Sequence, residues 1–277
     1  MENNGVRINK FLSEAGVCSR RQADAMIEEG RILVNGQPAQ TGMKVTADME
    51  ILVDGQPVGR KSRPVLLAVN KPRGIVCTTA EKEKDNIVQF LNYPVRVYPV
   101  GRLDKDSEGL ILMTNQGDLV NRILRGSNQH EKEYIVRVNK PLTQAFLRAM
   151  RDGVPIPDTN KVRRSGSYME EEDAPVVLTR PCQVDPLGKM VFRIVLTQGL
   201  NRQIRRMCEY LDYRVTELKR VRVLNIQLNN LETGKYREIT GSEYERLMAL
   251  LEHSSNLSYE QRTGGKHGSV KKNERID

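Results

Sequence analysis

Three carboxylates, Asp104, Asp106 and Glu108, stand in the loop Gly101-Arg102-Leu103-Asp104-Lys105-Asp106-Ser107-Glu108-Gly109, directly ahead of the apolar run Leu110 to Met113. A carboxylate held at the mouth of an ordered strand can act as a nucleophile without a cofactor. Further along lies Gly199-Leu200-Asn201-Arg202-Gln203-Ile204-Arg205-Arg206-Met207, whose guanidinium forks can pair with such an acid and also hold phosphates. Leu103 is the apolar anchor of the loop, which makes its neighbour Asp104 the better fixed acid. Arg102, on the other side of Leu103, can reach a phosphate or the gap left by an extruded base. Nucleic-acid chemistry is the leading implication. These residues also allow a plainer arrangement, in which Asp104 caps turn amides and the arginines lie on a wet surface.

Arg202 and Arg205 are three apart, as are Gln203 and Arg206, so a helix over 201–211 presents arginines on more than one face. One face suits the acid, and the others, with Arg202 and Arg206, suit RNA. Tyr134, in Lys132-Glu133-Tyr134, begins a strand and offers a flat ring for a base, unless it is simply a core residue. Nine tyrosines, four phenylalanines and no tryptophan leave few other ring platforms.

The elements that position these groups are mostly strands. Val65 to Val69 runs into the turn Asn70-Lys71-Pro72-Arg73-Gly74, followed by a strand Ile75 to Thr78. Lys71 either orients that strand end or touches RNA. Val95 to Val100 leads into the acid loop, and 134–138, 176–178 and 191–196 read as further strands. A second helix is expected over Pro141 to Met150, with the proline near its start. No Rossmann or Walker glycine signature is present, and the fold class expected is α+β.

At the N-terminus, apolar residues from Val6 to Ala15 recur at helical spacing. Ser19 and Gln22 form a capping box for a second helix ending before Gly30. Ile32-Leu33-Val34 enters an Asn35-Gly36 turn, and Ile51-Leu52-Val53 enters Asp54-Gly55. Arg20 and Arg21, in the first turn of the second helix, can grip an RNA phosphate or serve only as solvated charges.

The chain has 277 residues and a formal charge of +9, compatible with a polyanionic partner. Lys and Arg number 7 against 8 Asp and Glu in residues 1–60, 32 against 23 in 61–251, and 5 against 4 in 252–277, so the middle carries the surplus. Four scattered cysteines and three isolated histidines signal neither a metal cluster nor a disulfide framework. No membrane span or signal peptide is read, and a cytoplasmic location is expected.

Arg7-Ile8-Asn9-Lys10-Phe11-Leu12, Cys18-Ser19-Arg20-Arg21 and Val34-Asn35-Gly36 resemble the S4 RNA-binding module. Gly101-Arg102-Leu103-Asp104 with Ser107, Gly109, Thr114, Asn115 and Gly117, together with the 201–207 stretch, resembles the pseudouridine synthases, in the branch that joins an S4 module to a mixed, mostly antiparallel-sheet catalytic domain and modifies ribosomal RNA. Ser107 stands where many members have threonine. The resemblance implies an isomerase needing no cofactor, with Asp104 as catalytic carboxylate, Arg205 as its partner and Tyr134 as the base-stacking residue. Expected boundaries are an S4 domain at 1–60, a linker at 61–64, a catalytic domain at 65–250 and a flexible tail at 251–277.

Within the family, the runs 104–111, 117–125 and 130–134 look most like members acting on large-subunit RNA. That implies a uridine in 23S rRNA or its assembly intermediate, with a tyrosine tRNA anticodon loop as a second substrate, and a monomeric enzyme. The acid run Glu170-Glu171-Glu172-Asp173 lies in an expected extended hairpin over 163–186 that could alter the target. Competing readings are a synthase for 16S rRNA or another 23S site, an inactive ribosome-assembly factor, and a hydrolase unrelated to RNA.

Overall fold

The computed structural model describes residues 5–46, 48–59, 63–124, 129–158, 174–252 and 254. Its centre is a nine-stranded sheet whose main path runs Gln183–Gly188, Val191–Leu196, Lys132–Val138, Val215–Val223, Glu108–Thr114, Leu66–Lys71 and Tyr236–Glu238. Neighbours along this path are antiparallel except Val215–Val223 beside Glu108–Thr114, which run parallel through Lys219↔Glu108 and Arg220↔Gly109. Beyond that short contact, Tyr98–Val100 takes over the same edge of Glu108–Thr114, pairing at Tyr98↔Thr114. The acid loop, residues 101–107, therefore leaves the sheet where one strand exchanges partners. Gly109 permits the exchange: its φ is +102°, and a Cβ there would lie 2.3 Å from the Arg220 carbonyl oxygen.

Both faces of the central strands are covered, so Leu66–Lys71 reads as a continuous buried run rather than an alternating one. Leu67, Val69, Ile111 and Met113 pack with Ile87, Val97 and Leu103, while Leu66, Ala68, Leu110 and Leu112 pack with Leu119, Ile123, Ile239 and Leu247. Farther along, Val136, Phe192 and Ile194 meet Phe146, Met150, Ile204 and Met207 from two helices. Burying Leu103 contributes roughly 2 kcal/mol toward fixing the acid loop.

The N-terminal module has its own core around Ile8, Leu12, Ala23, Ile27, Ile32 and Ile51. The Ser19 and Gln22 capping box is complete, and Asn35, Gly36, Asp54 and Gly55 all take positive φ in the two tight hairpin turns. Val6 and Arg7 pair as a short strand with Val45 and Lys44, so the first helix is only Ile8–Glu14. Lys10 bonds Asp118 at 2.8 Å and Gln22 donates to Glu81 at 3.2 Å, joining this module to the sheet domain.

Several expected elements differ. Ile75 to Thr78 is not a strand: it makes a single bridge, Val76↔Asn86, because its backbone turns to hold the acid loop. The helix expected from Pro141 is Gln144–Asp152, capped by Thr143, with the proline outside it. The helix expected from Asn201 is Gln203–Tyr210, since Arg202 is left-handed at φ 48°. Leu251, assigned to a flexible tail, is fully buried. Residues 253 and 255–277, residue 60, the linker residues 61 and 62, and 159–173 with the acid run lie outside the described residues. Among the described residues no helix is long and apolar enough to cross a membrane.

Candidate active site

The segment 71–77 brackets Asp104 from both sides. The Leu103 amide donates to Cys77 Sγ at 3.4 Å, and the Gly74 amide donates to the Lys105 carbonyl at 2.7 Å. Lys71 braces the bracket from within, its Nζ donating to the Pro72 and Ile75 carbonyls at 2.8 Å each. Underneath, Arg220 Nε donates to the Leu110 carbonyl at 2.7 Å, and its Nη1 reaches the Arg102 carbonyl at 3.5 Å. The loop is thus preorganised by groups beyond its own residues.

Two guanidiniums face the two acids. Arg202 Nη1 lies 3.5 Å from both Asp104 Oδ2 and Asp106 Oδ1. Arg205 Nη2 is 3.0 Å from Asp106 Oδ2 and donates to Ser107 Oγ at 3.2 Å, whereas its Nε is 3.9 Å from Asp104 Oδ2. That buried Nε has no hydrogen-bond partner. Burial pulls the Arg205 guanidinium below the usual arginine range, and the charge of Asp106 opposes that pull. The left-handed backbone at Arg202 stores on the order of 1–2 kcal/mol of strain, placed where its side chain meets both acids.

Asp104 opens onto two spaces. One is a chamber of about 100 Å³ lined by Tyr134, Leu200, Gln203, Leu218 and the acid loop. The other is a cleft of about 770 Å³ whose walls carry Arg73, Arg102, Lys105, Arg202 and Thr216. Only the cleft reaches the several hundred Å³ usual for a whole ligand, which leaves the chamber for a small part of one.

Asp104, Arg102, Tyr134, Arg202 and Arg205 therefore converge. Arg20 and Arg21 are exposed on the N-terminal module, away from this chamber. Two assignments are corrected. Lys71 has 0% exposure and spends its protons on two carbonyls, so it braces the loop and cannot touch RNA. Arg206 is 8% exposed and donates to the Pro157 carbonyl and Asn201 Oδ1, which fastens the arginine helix to a neighbouring strand. Sequence reasoning missed Asp106 and Ser107 as contacts of Arg205, and Arg220 beneath the loop. The Asp-x-Asp-Ser spacing was visible for the first two; nothing local singles out Arg220 among its charged neighbours.

Residues 65–210, more than half of the chain, match the RNA pseudouridylate synthase family model. The chain belongs to this family. Residues 6–51 of the synthase match the S4 domain. The synthase is 46% identical over 258 residues to the dual-specificity RNA pseudouridine synthase RluF of Escherichia coli K12, covering 92% of this chain and 83% of that protein. It is 33% identical to the ribosomal large subunit pseudouridine synthase B of Bacillus subtilis, covering 90% and 98%. A crystal structure of a pseudouridylate synthase superposes with a TM-score of 0.59 at 27% identity, covering 87% of this chain and 99% of that one. The enzyme is accordingly an RNA pseudouridine synthase, an isomerase built from an S4 module and a mixed, mostly antiparallel sheet domain.

Proposed function

We propose that this synthase isomerises a specific uridine in 23S rRNA, or in an assembly intermediate containing it, and that a tyrosine tRNA anticodon-loop uridine is a second substrate. One observation carries the reading: Asp104 opens both onto a ring-sized chamber beside Tyr134 and onto a cationic cleft. The extruded uracil enters the chamber against Tyr134, while its sugar and flanking phosphates stay in the cleft. Similarity to RluF and to a large-subunit synthase supports the ribosomal target.

Asp104 initiates cleavage of the N1–C1′ bond, either by attacking the sugar or by assisting glycal formation. The uracil turns, C5 joins C1′, N1 takes up a proton and the C5 proton departs, so the net reaction is an isomerisation without redox change. Arg205 and Arg202 aim the acid, and Arg102 props the space the base vacates. Arg20 and Arg21 dock the RNA from the S4 domain at 1–60, linked through 61–64 to the catalytic domain at 65–250. A monomer acting in the cytoplasm completes the proposal.

The test is incubation with unmodified 23S rRNA, 16S rRNA and tyrosine tRNA labelled with tritium at uridine C5, followed by carbodiimide mapping of the product. A stoichiometric stop in 23S rRNA is expected, and a stop confined to 16S rRNA would overturn the target. Asp104→Asn should lower turnover by roughly four to six orders of magnitude with RNA affinity retained. Substantial product from that variant would remove Asp104 from the catalytic role.

A further inference from the structure

Residues 73–82 form a wall shared by two spaces. Arg73, Gly74 and Val76 line the Asp104 cleft, and Thr78 to Lys82 line a groove of about 560 Å³ between the sheet domain and the N-terminal module. Three cations line that groove: Lys82 and Arg96 from the sheet domain, and Arg21 from the second N-terminal helix. Glu81 is the one acid among the groove's described lining residues, and it accepts a hydrogen bond from Gln22 across the groove at 3.2 Å. Arg96 lies 6.0 Å over the Tyr98 ring, which restrains the guanidinium. The remaining wall mixes Thr78, Thr79 and Gln89, which offer hydroxyl and amide groups, with the apolar Ala80, Val88 and Val97.

We propose that one RNA strand runs from the Asp104 cleft along residues 73–82 into this groove, where Lys82, Arg96 and Arg21 hold successive phosphates. The inference rests on the reading of the enzyme as acting on a structured RNA and gives that RNA its path. Protein interfaces are depleted of charge at their core, whereas three cations and a single, hydrogen-bonded acid line this groove, which favours a polyanion. Because the two modules each contribute cations, the groove couples S4 docking to delivery of the target nucleotide. The S4 module itself carries no net positive charge, so a track built jointly with the sheet domain explains how a slightly acidic module can still orient a polyanion.

The experiment measures affinity for unmodified 23S rRNA transcript across a salt series with Lys82→Glu, Arg96→Gln and the double variant. Losing two phosphate contacts should reduce the slope of log K against log salt by roughly 1.4–1.8. An unchanged slope in the double variant overturns the path. Because Arg96 packs near the module junction, the wild-type protein is also acetylated at lysines with and without the same RNA. Lys82 should be protected together with Lys105; protection of Lys105 alone overturns the path. Protection of Lys82 by a 23S rRNA transcript that the wild-type enzyme does not modify would leave the groove standing while the 23S target falls.

Discussion

Arg205 makes its short carboxylate contact with Asp106, at 3.0 Å, and stands 3.9 Å from Asp104. The pairing turns the guanidinium so that its unbonded Nε edge faces Asp104. Asp106 thereby sets the direction from which Arg205 approaches the neighbouring acid, and it shares the charge of Arg202 at 3.5 Å. A slight closure of the cleft around substrate would convert the 3.9 Å approach into a hydrogen bond.

Asp106→Asn should therefore lower kcat roughly ten- to hundredfold, matching loss of a charge-assisted bond of about 1.5–3 kcal/mol, with KM for RNA changed little. Steady-state kinetics on tritiated RNA measures the split. An unchanged kcat would show that Arg205 needs no second acid to aim it.

Lys71→Met leaves the Pro72 and Ile75 carbonyls without their donor. Relief from burying an ammonium offsets part of that loss, so destabilisation of roughly 2 kcal/mol is expected, with a Tm lower by about 4–8 °C. The salt dependence of RNA affinity should stay as in the wild type. A shallower salt slope at unchanged Tm would restore Lys71 as an RNA contact.

Gly109→Ala places a methyl against the Arg220 backbone in a conformation that L side chains rarely adopt. Thermal unfolding should register a loss of about 3 kcal/mol or more, since neither strand can move aside without breaking the parallel pairing. Gly188→Ala, which meets nothing within 4 Å, is the control and should be nearly silent.

Burial, with a smaller repulsion from Arg220, lowers the Lys132 ammonium from 10.5 to about 8. Between those values the unfolded chain binds more protons than the folded one, so this group makes stability rise with pH across that window. Below pH 8 its burial cost is fully present, and above 10.5 it is gone. Denaturant unfolding of wild type and Lys132→Met should show the wild type gaining on the variant from pH 8 to 10.5. Parallel curves would mean that the ammonium is solvated in the folded protein.

Local signals were legible in the chain. The Ser19 and Gln22 capping box and the Asn35-Gly36 and Asp54-Gly55 turns involve residues adjacent or three apart, so residue type alone specifies the backbone. Leu103 was readable as the loop anchor because one apolar residue stands among polar neighbours. The longest strand was not legible. Val215–Val223 carries Glu217, Lys219, Arg220 and Arg222, a composition that reads as surface. It crosses the middle of the sheet because Arg220 finds the Leu110 and Arg102 carbonyls and Arg222 finds Glu133 at 2.9 Å.

Taken by itself, the chain determined the caps and hairpin turns, because each depends on spacing within a few residues, and the resemblance of its acid loop and arginine stretch to the pseudouridine synthases implied the reaction class. Tertiary structure alone decided that Arg205 leans on Asp106, that Lys71 and Arg206 are buried braces, and that the acid loop emerges where Glu108–Thr114 changes partner. Those outcomes depend on contacts between residues far apart in the chain. A charged side chain's role follows from which distant carbonyl or carboxylate the packed sheet brings within hydrogen-bond distance.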